Sequence, residues 1–148
     1  MATDSAVFPF PVKTWVLANG LRVVTVETPT QGVIALLTIA RVGARNEVEP
    51  GCSGFAHFFE HMMFKGTKAF PGKARDQVLM RVGAESNAFT SDDFTCYHVV
   101  AGASNLDHLL QIESDRFQNL EYSPEALKNE APVILGAYQK DAASPFMK

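Results

Sequence analysis

The chain has 148 residues, is 47% hydrophobic and carries a net charge of −3, so one domain around one compact core is expected and disorder is not. Its Lys and Arg residues are interspersed and make no basic face for nucleic acid. Two cysteines, Cys52 and Cys96, are too few for a disulfide framework and read better as two buried thiols than as a bridge.

The opening "MATDSAVFPFPVKTW" lacks the charged region, apolar run and small-residue cleavage site of a signal peptide. No targeting segment stands in the chain as written, and a periplasmic location is open to it if a leader has been removed. Residues 1–11 read as an N-terminal arm. "KTWVLA" and "LRVVTVET" are β-rich runs joined by Asn19-Gly20, the strongest short hairpin signal, with Leu21, Val23, Val24 and Val26 supplying both faces. A third strand follows in "VIALLTIARVG". Its run from Gly32 to Ala40 is about half the roughly 18 to 20 residues of a membrane span, so it predicts a buried strand in a sheet covered on both faces.

Residues 43–51 form a polar loop containing Glu47, Glu49 and Pro50. Ser53 can then cap a helix from about Gly54 to Phe64, stopped by Lys65-Gly66. A Pro71-Gly72 turn leads into a second helix, "KARDQVLMRVGA", with Val78, Leu79 and Val82 at helical spacing. "NAFTSDDFTCYHVVAG" predicts two strands around Ser91-Asp92-Asp93. From Asn105, a candidate cap, Leu106, Leu109, Leu110, Ile112 and Phe117 form a helical stripe. Ser123-Pro124 opens the last helix, which runs to about Lys140 with Pro132 inviting a kink. Strands, helices, a strand pair and more helices make an α+β arrangement, a mixed or antiparallel sheet packed with helices.

The chemistry concentrates in "GFAHFFEHMMFKGT". Residues three and four apart share a helix face, so His57, Glu60 and His61 project together. Two imidazoles one turn apart can chelate one zinc, and the carboxylate beside them can deprotonate a water that zinc has made acidic. The competing reading is a helix whose polar stripe happens to be His, Glu and His. At this chain's own frequencies H-x-x-E-H would arise in about 1 in 150 such sequences, which favours the metal.

"PGCSGFAHFFEHMMFKGT" resembles the pitrilysin/insulinase-type metallopeptidases, the inverzincins, whose signature is H-x-x-E-H. "NGLRVV" before it, with "GTKAFPG", "GAESNAFTSDDFTCYHV" and "LQIESDRFQNLEYSPEALKNEAPVILGAY" after it, fall in the family's order. The resemblance covers about residues 12 to 148 and implies a partial N-terminal metallopeptidase domain, the incomplete first domain of a clam-shell chamber. It implies zinc held by His57 and His61, with Glu60 as general base. Asn87, Ala88, Phe89 and Thr90 would lie on an edge strand to which a peptide or unfolded polypeptide adds as a further strand. For each of these four, an ordinary paired strand residue is the equal alternative.

Two departures stand out. The family's third zinc ligand, a glutamate, falls at Ala137, whose methyl group cannot coordinate a metal. Glu130, the family's other acidic position on this helix, lies seven residues away, about 10 Å along the axis, a supporting position and a poor substitute ligand. Asp141 shares the face of Ala137 and reaches the site only if the helix end unwinds. Zinc occupancy would therefore be weak or absent. The chain is also much shorter than such relatives, so exposed apolar patches are expected where further domains or a partner subunit would pack. The resemblance implies a zinc metalloendopeptidase, and the alternative is a non-catalytic peptide-binding or structural subunit of the same family.

Overall fold

A computed structural model describes residues 8–51 and 53–142, so Cys52 lies outside the described residues. The chain divides into two units, residues 1–31 and 32–148. The first is the expected hairpin, β1 (Val12–Val16) antiparallel to β2 (Arg22–Val26), with Trp15 opposite Val23. Its turn differs from the two-residue form that Asn-Gly suggests. Gly20 donates to the Leu17 carbonyl, and only Gly20, at φ +86°, is left-handed, while Asn19 Oδ1 accepts from Leu21 N–H. This is the longer loop, in which a right-handed turn is closed by a left-handed glycine.

In the second unit, β3 (Val33–Ala40), β4 (Glu85–Thr90) and β5 (Thr95–Gly102) form an antiparallel sheet in the order β3-β5-β4. Leu36 and Ser86 both stand opposite Val99. The two-residue period sends Ile34, Leu36, Val99 and Ala101 to one face. There they meet Leu79 of α2 (Gly72–Arg81) and Leu109 and Ile112 of α3 (Leu106–Asn119), which together form the core. On the opposite face Val33, Leu37 and Ile39 are 49%, 55% and 56% exposed. The expectation of a strand buried on both sides is therefore corrected. An apolar run records that both faces tolerate burial, not what covers them, and in this unit the helices cover one. Cys96 is a buried free thiol whose pKa burial pushes up.

Two capping expectations change. Ser53 is not the cap of α1 (Phe55–Met62), whose N-cap is Gly54. Asn105 makes no cap bond to α3 either, since a short 3-10 turn over Ala103–Asn105 precedes that helix and its amide donates to the Gly102 carbonyl. Ser123 does cap α4 (Pro124–Ala142), accepting from Ala126 N–H at 3.1 Å. α4 passes through Pro132 as one helix and stays helical past Asp141, so the unwinding that Asp141 would need does not occur. Among the described residues no helix is long and apolar enough to cross a membrane.

The helical stripe of α3 is also revised. Leu110 and Phe117 are exposed, while Glu113 and Arg116 are buried with Leu109 and Ile112. Glu113 pairs with Arg116 and lies 3.4 Å from Arg75, which also donates to Ser86 Oγ at 3.0 Å. The Arg116 guanidinium stacks over the Tyr97 ring at 4.6 Å, with Phe64 and Phe117 at 5.5 and 5.6 Å. Its Nε and Nη1 make no hydrogen bond; the ring faces supply the attraction instead.

Burial pushes the Tyr97 phenol from 10.0 up to about 12, with Arg116 opposing. Folding thus favours the neutral phenol, a contribution present below pH 10.0 and lost as pH rises through about 12. A rapid alkaline absorbance titration of the native chain is expected to show one of its three tyrosines ionising only at pH about 12, and Tyr97→Phe should remove that step. Coincident ionisation of all tyrosines in the folded chain would contradict this placement.

Candidate metal centre

The site is built from the loop after β3. Gly43 opens a 3-10 turn (Ala44–Asn46), and a Cβ on it would lie 2.3 Å from the Ser91 carbonyl oxygen. That close approach lets Ala44 and Arg45 N–H donate to the Ser91 and Asp92 carbonyls, fixing the loop on the β4–β5 turn. Glu47 follows. Its Oε2 accepts from Gly54 N–H at 2.6 Å and its Oε1 from Ala56 N–H at 2.7 Å. One carboxylate therefore satisfies two orphan donors at the positive end of α1, which Gly54, left-handed and without a capping side chain, leaves open.

One turn further on, His57 and His61 stand half-buried on the same face, their ring centroids 4.8 Å apart and their Nε2 atoms 3.1 Å apart. Two nitrogens bound to one tetrahedral zinc at about 2.0–2.1 Å would be separated by about 3.3 Å, so the pair fits a single ion with little movement. His57, Glu60 and His61 each offer a ligand atom within 4.8 Å of the others'. Among the described residues this is the group suited to a metal.

α4 crosses behind them. Glu130 Oε1 meets His61 Nδ1 at 2.7 Å and its Oε2 pairs with Lys65 Nζ. The Lys65 ammonium first, and the His61 ring after it, hold the Glu130 carboxyl below the usual range against the effect of burial. As acceptor of a hydrogen bond from Nδ1–H, Glu130 favours the His61 tautomer whose Nε2 lone pair is free on the side facing His57. Ala137 is half-buried further along α4, on the helix face that also carries the buried Glu130 and Ile134.

Glu60 is buried at 7% exposure. Thr90, at the end of β4, donates its hydroxyl to Glu60 Oε2 at 2.5 Å. Thr90 Oγ1 lies 3.3 Å from Thr95 Oγ1, which donates to the Val42 carbonyl at 3.0 Å. Asn87, Ala88 and Phe89 lie along β4, which is an edge of its sheet. Asn87 and Phe89 are exposed on the face away from Glu60, and Asn87 Oδ1 accepts from Ala88 N–H. Thr90 is thus the member of that set placed against the cluster. Glu47 and Lys65 read from the sequence only as a loop residue and a helix stop, and Thr95 only as part of a strand, since each acts at the site over a separation that local patterns do not encode.

A helix bearing two converging imidazoles and a buried carboxylate, laid across an antiparallel sheet, is the arrangement of the H-x-x-E-H metallopeptidase class. Residues 22–145 match the insulinase family, peptidase family M16, and the chain belongs to that family. Over 119 residues it is 38% identical to an uncharacterized zinc protease of Rickettsia bellii, covering 80% of this chain and 29% of that protein. It is 37% identical to the zinc protease PqqE of Helicobacter pylori, covering 80% and 27%. It is also 34% identical to human cytochrome b-c1 complex subunit 1, covering 86% and 26%. The crystal structure of a protease from Helicobacter pylori superposes with a TM-score of 0.86 at 34% identity, covering 93% of this chain and 33% of that one. The chain therefore spans less than a third of the length of these curated relatives.

Removing the Glu47 clamp by Glu47→Ala is expected to cost about 1–2 kcal/mol in urea denaturation, the upper range for loss of a helix cap. A change within about 0.5 kcal/mol would show that the start of α1 is held by something else.

Proposed function

We propose that the chain is a zinc-metallopeptidase-type domain whose metal centre lacks its third protein ligand. The observation that carries this reading is the 3.1 Å approach of the two Nε2 atoms beside the buried Glu60. His57 and His61 would hold the zinc, and Glu130 would orient His61 from behind. Zinc, when bound, supplies a Lewis acid that polarises a peptide carbonyl and acidifies water. Glu60 is the general base. Thr90 occupies its Oε2, so Oε1 is the atom that takes a proton and passes it to the leaving amine.

The outer edge of β4, over Asn87, Ala88 and Phe89, would bind an extended peptide through main-chain hydrogen bonds. With Ala137 where the resemblance places a glutamate, zinc affinity falls and activity falls with it. The remaining domains or a partner subunit of the family would complete the chamber, covering apolar side chains such as Phe55, Phe59 and Leu135, each about half exposed.

Ala137 also favours a second reading, a non-catalytic peptide-binding or structural subunit. The similarity to a protein named as a subunit of the cytochrome b-c1 complex, rather than as a protease, points the same way.

Zinc titration calorimetry tests the proposal. Ala137→Glu is expected to tighten zinc by about 100-fold or more, since loss of an outer-shell partner alone costs 10–100-fold, and His57→Ala or His61→Ala should abolish binding. No zinc binding by Ala137→Glu would overturn the metal centre. A zinc-loaded Ala137→Glu chain in its full-length context that leaves unfolded peptides intact would decide for the subunit.

A further inference from the structure

We propose that Thr90 is a positioning residue that keeps Glu60 off the metal-binding point between His57 and His61, so that Glu60 remains a base and does not become a ligand. The inference rests on the proposed metal centre and adds a device that separates its two carboxylate roles.

A site with two imidazoles and no third protein ligand leaves a cation under-coordinated, and the nearest unrestrained carboxylate is drawn to it. Two carboxylates stand close. Glu130 is held at the far side of His61 by Lys65 and by the His61 ring. Glu60 is closer, with a ligand atom within 4.8 Å of the imidazole nitrogens, on the same helix face and out of solvent. A rotation of its side chain would bring an oxygen to the metal. As a ligand, that oxygen would spend its lone pair on the cation and could no longer accept a proton.

The Thr90 hydroxyl opposes this rotation through its 2.5 Å bond to Oε2. That hydroxyl is itself anchored. Thr90 is paired opposite Thr95 in the β4–β5 register, so the antiparallel ladder fixes the backbone that carries it. Thr90 is β-branched, with a restricted χ1, so the donor is presented by the sheet and does not follow the carboxylate. The helix supplies the base, and the sheet holds it in place.

The test is a cobalt(II) titration, read by affinity and by the visible spectrum of the ion, on four forms of the chain: unaltered, Thr90→Val, Thr90→Ser, and Thr90→Val combined with Glu60→Gln. Thr90→Val is expected to bind cobalt about ten- to a hundred-fold more tightly, the range set by losing a hydrogen bond to a charged group, with a changed visible band as Glu60 joins the coordination. Thr90→Ser, which keeps the hydroxyl, should behave as the unaltered chain. Glu60→Gln should cancel the gain. Unchanged or weaker affinity in a folded Thr90→Val chain would overturn the proposal. Should that variant fail to fold, Thr90→Ala, which removes the same donor, must show a gain of the same sign, and its absence would overturn the proposal equally. Ala137→Glu, titrated in parallel, separates the two levels. If it binds cobalt while Thr90→Val gains nothing, the positioning role fails and the metal centre stands; if neither binds, both fail.

Discussion

The Glu130 carboxylate is the contact on which the site depends. One oxygen fixes the His61 ring and the other binds Lys65, so a single side chain of α4 grips both the last turn of α1 and the segment that leaves it. A carboxylate behind a ligating histidine sets its tautomer and orientation, and here it also docks one helix on another. The packing contact and the alignment of His61 are one interaction.

The other supports come from different directions. Glu47 closes the amino end of α1 from a loop that Gly43 pins to the β4–β5 turn. Thr90 reaches Glu60 from the sheet. Below, the buried Arg116 holds Tyr97 and Phe64 by its guanidinium face while Glu113 balances its charge. Tyr97 sits on β5 opposite Ala88 of β4, so the strand bearing Thr90 is backed by this cluster. A short helix with no capping side chain of its own is thereby fixed at its start, its middle and its end.

What the sequence made legible was local. Asn19-Gly20 marked the hairpin, Ser123-Pro124 the start of α4, and the spacing of His57, Glu60 and His61 the shared helix face, because each is set by a few neighbouring residues. Interactions across long separations were not legible. Glu47 caps a helix beginning eight residues later, and Ser53, though adjacent, does not. Arg116 and Glu113 stand outside the stripe read for α3, since charges are seldom buried without partners, and beyond each other their partners, Arg75 and Tyr97, come from other elements. Leu110 and Phe117 completed a stripe by spacing while standing exposed. Pattern identifies which residues can be buried; the covering element decides which are. Glu130 was read as a supporting residue, yet its target, the Nδ1 of His61, follows only from how α4 crosses α1.

The central claim is that the two imidazoles are prearranged to hold one ion. X-ray absorption spectroscopy at the zinc edge, on the chain loaded with one equivalent of zinc, tests it most directly. Two imidazole nitrogens at about 2.0–2.1 Å are expected, with oxygen donors in the remaining positions, and no zinc should be retained by His61→Ala. A spectrum with one imidazole or none per zinc would contradict it.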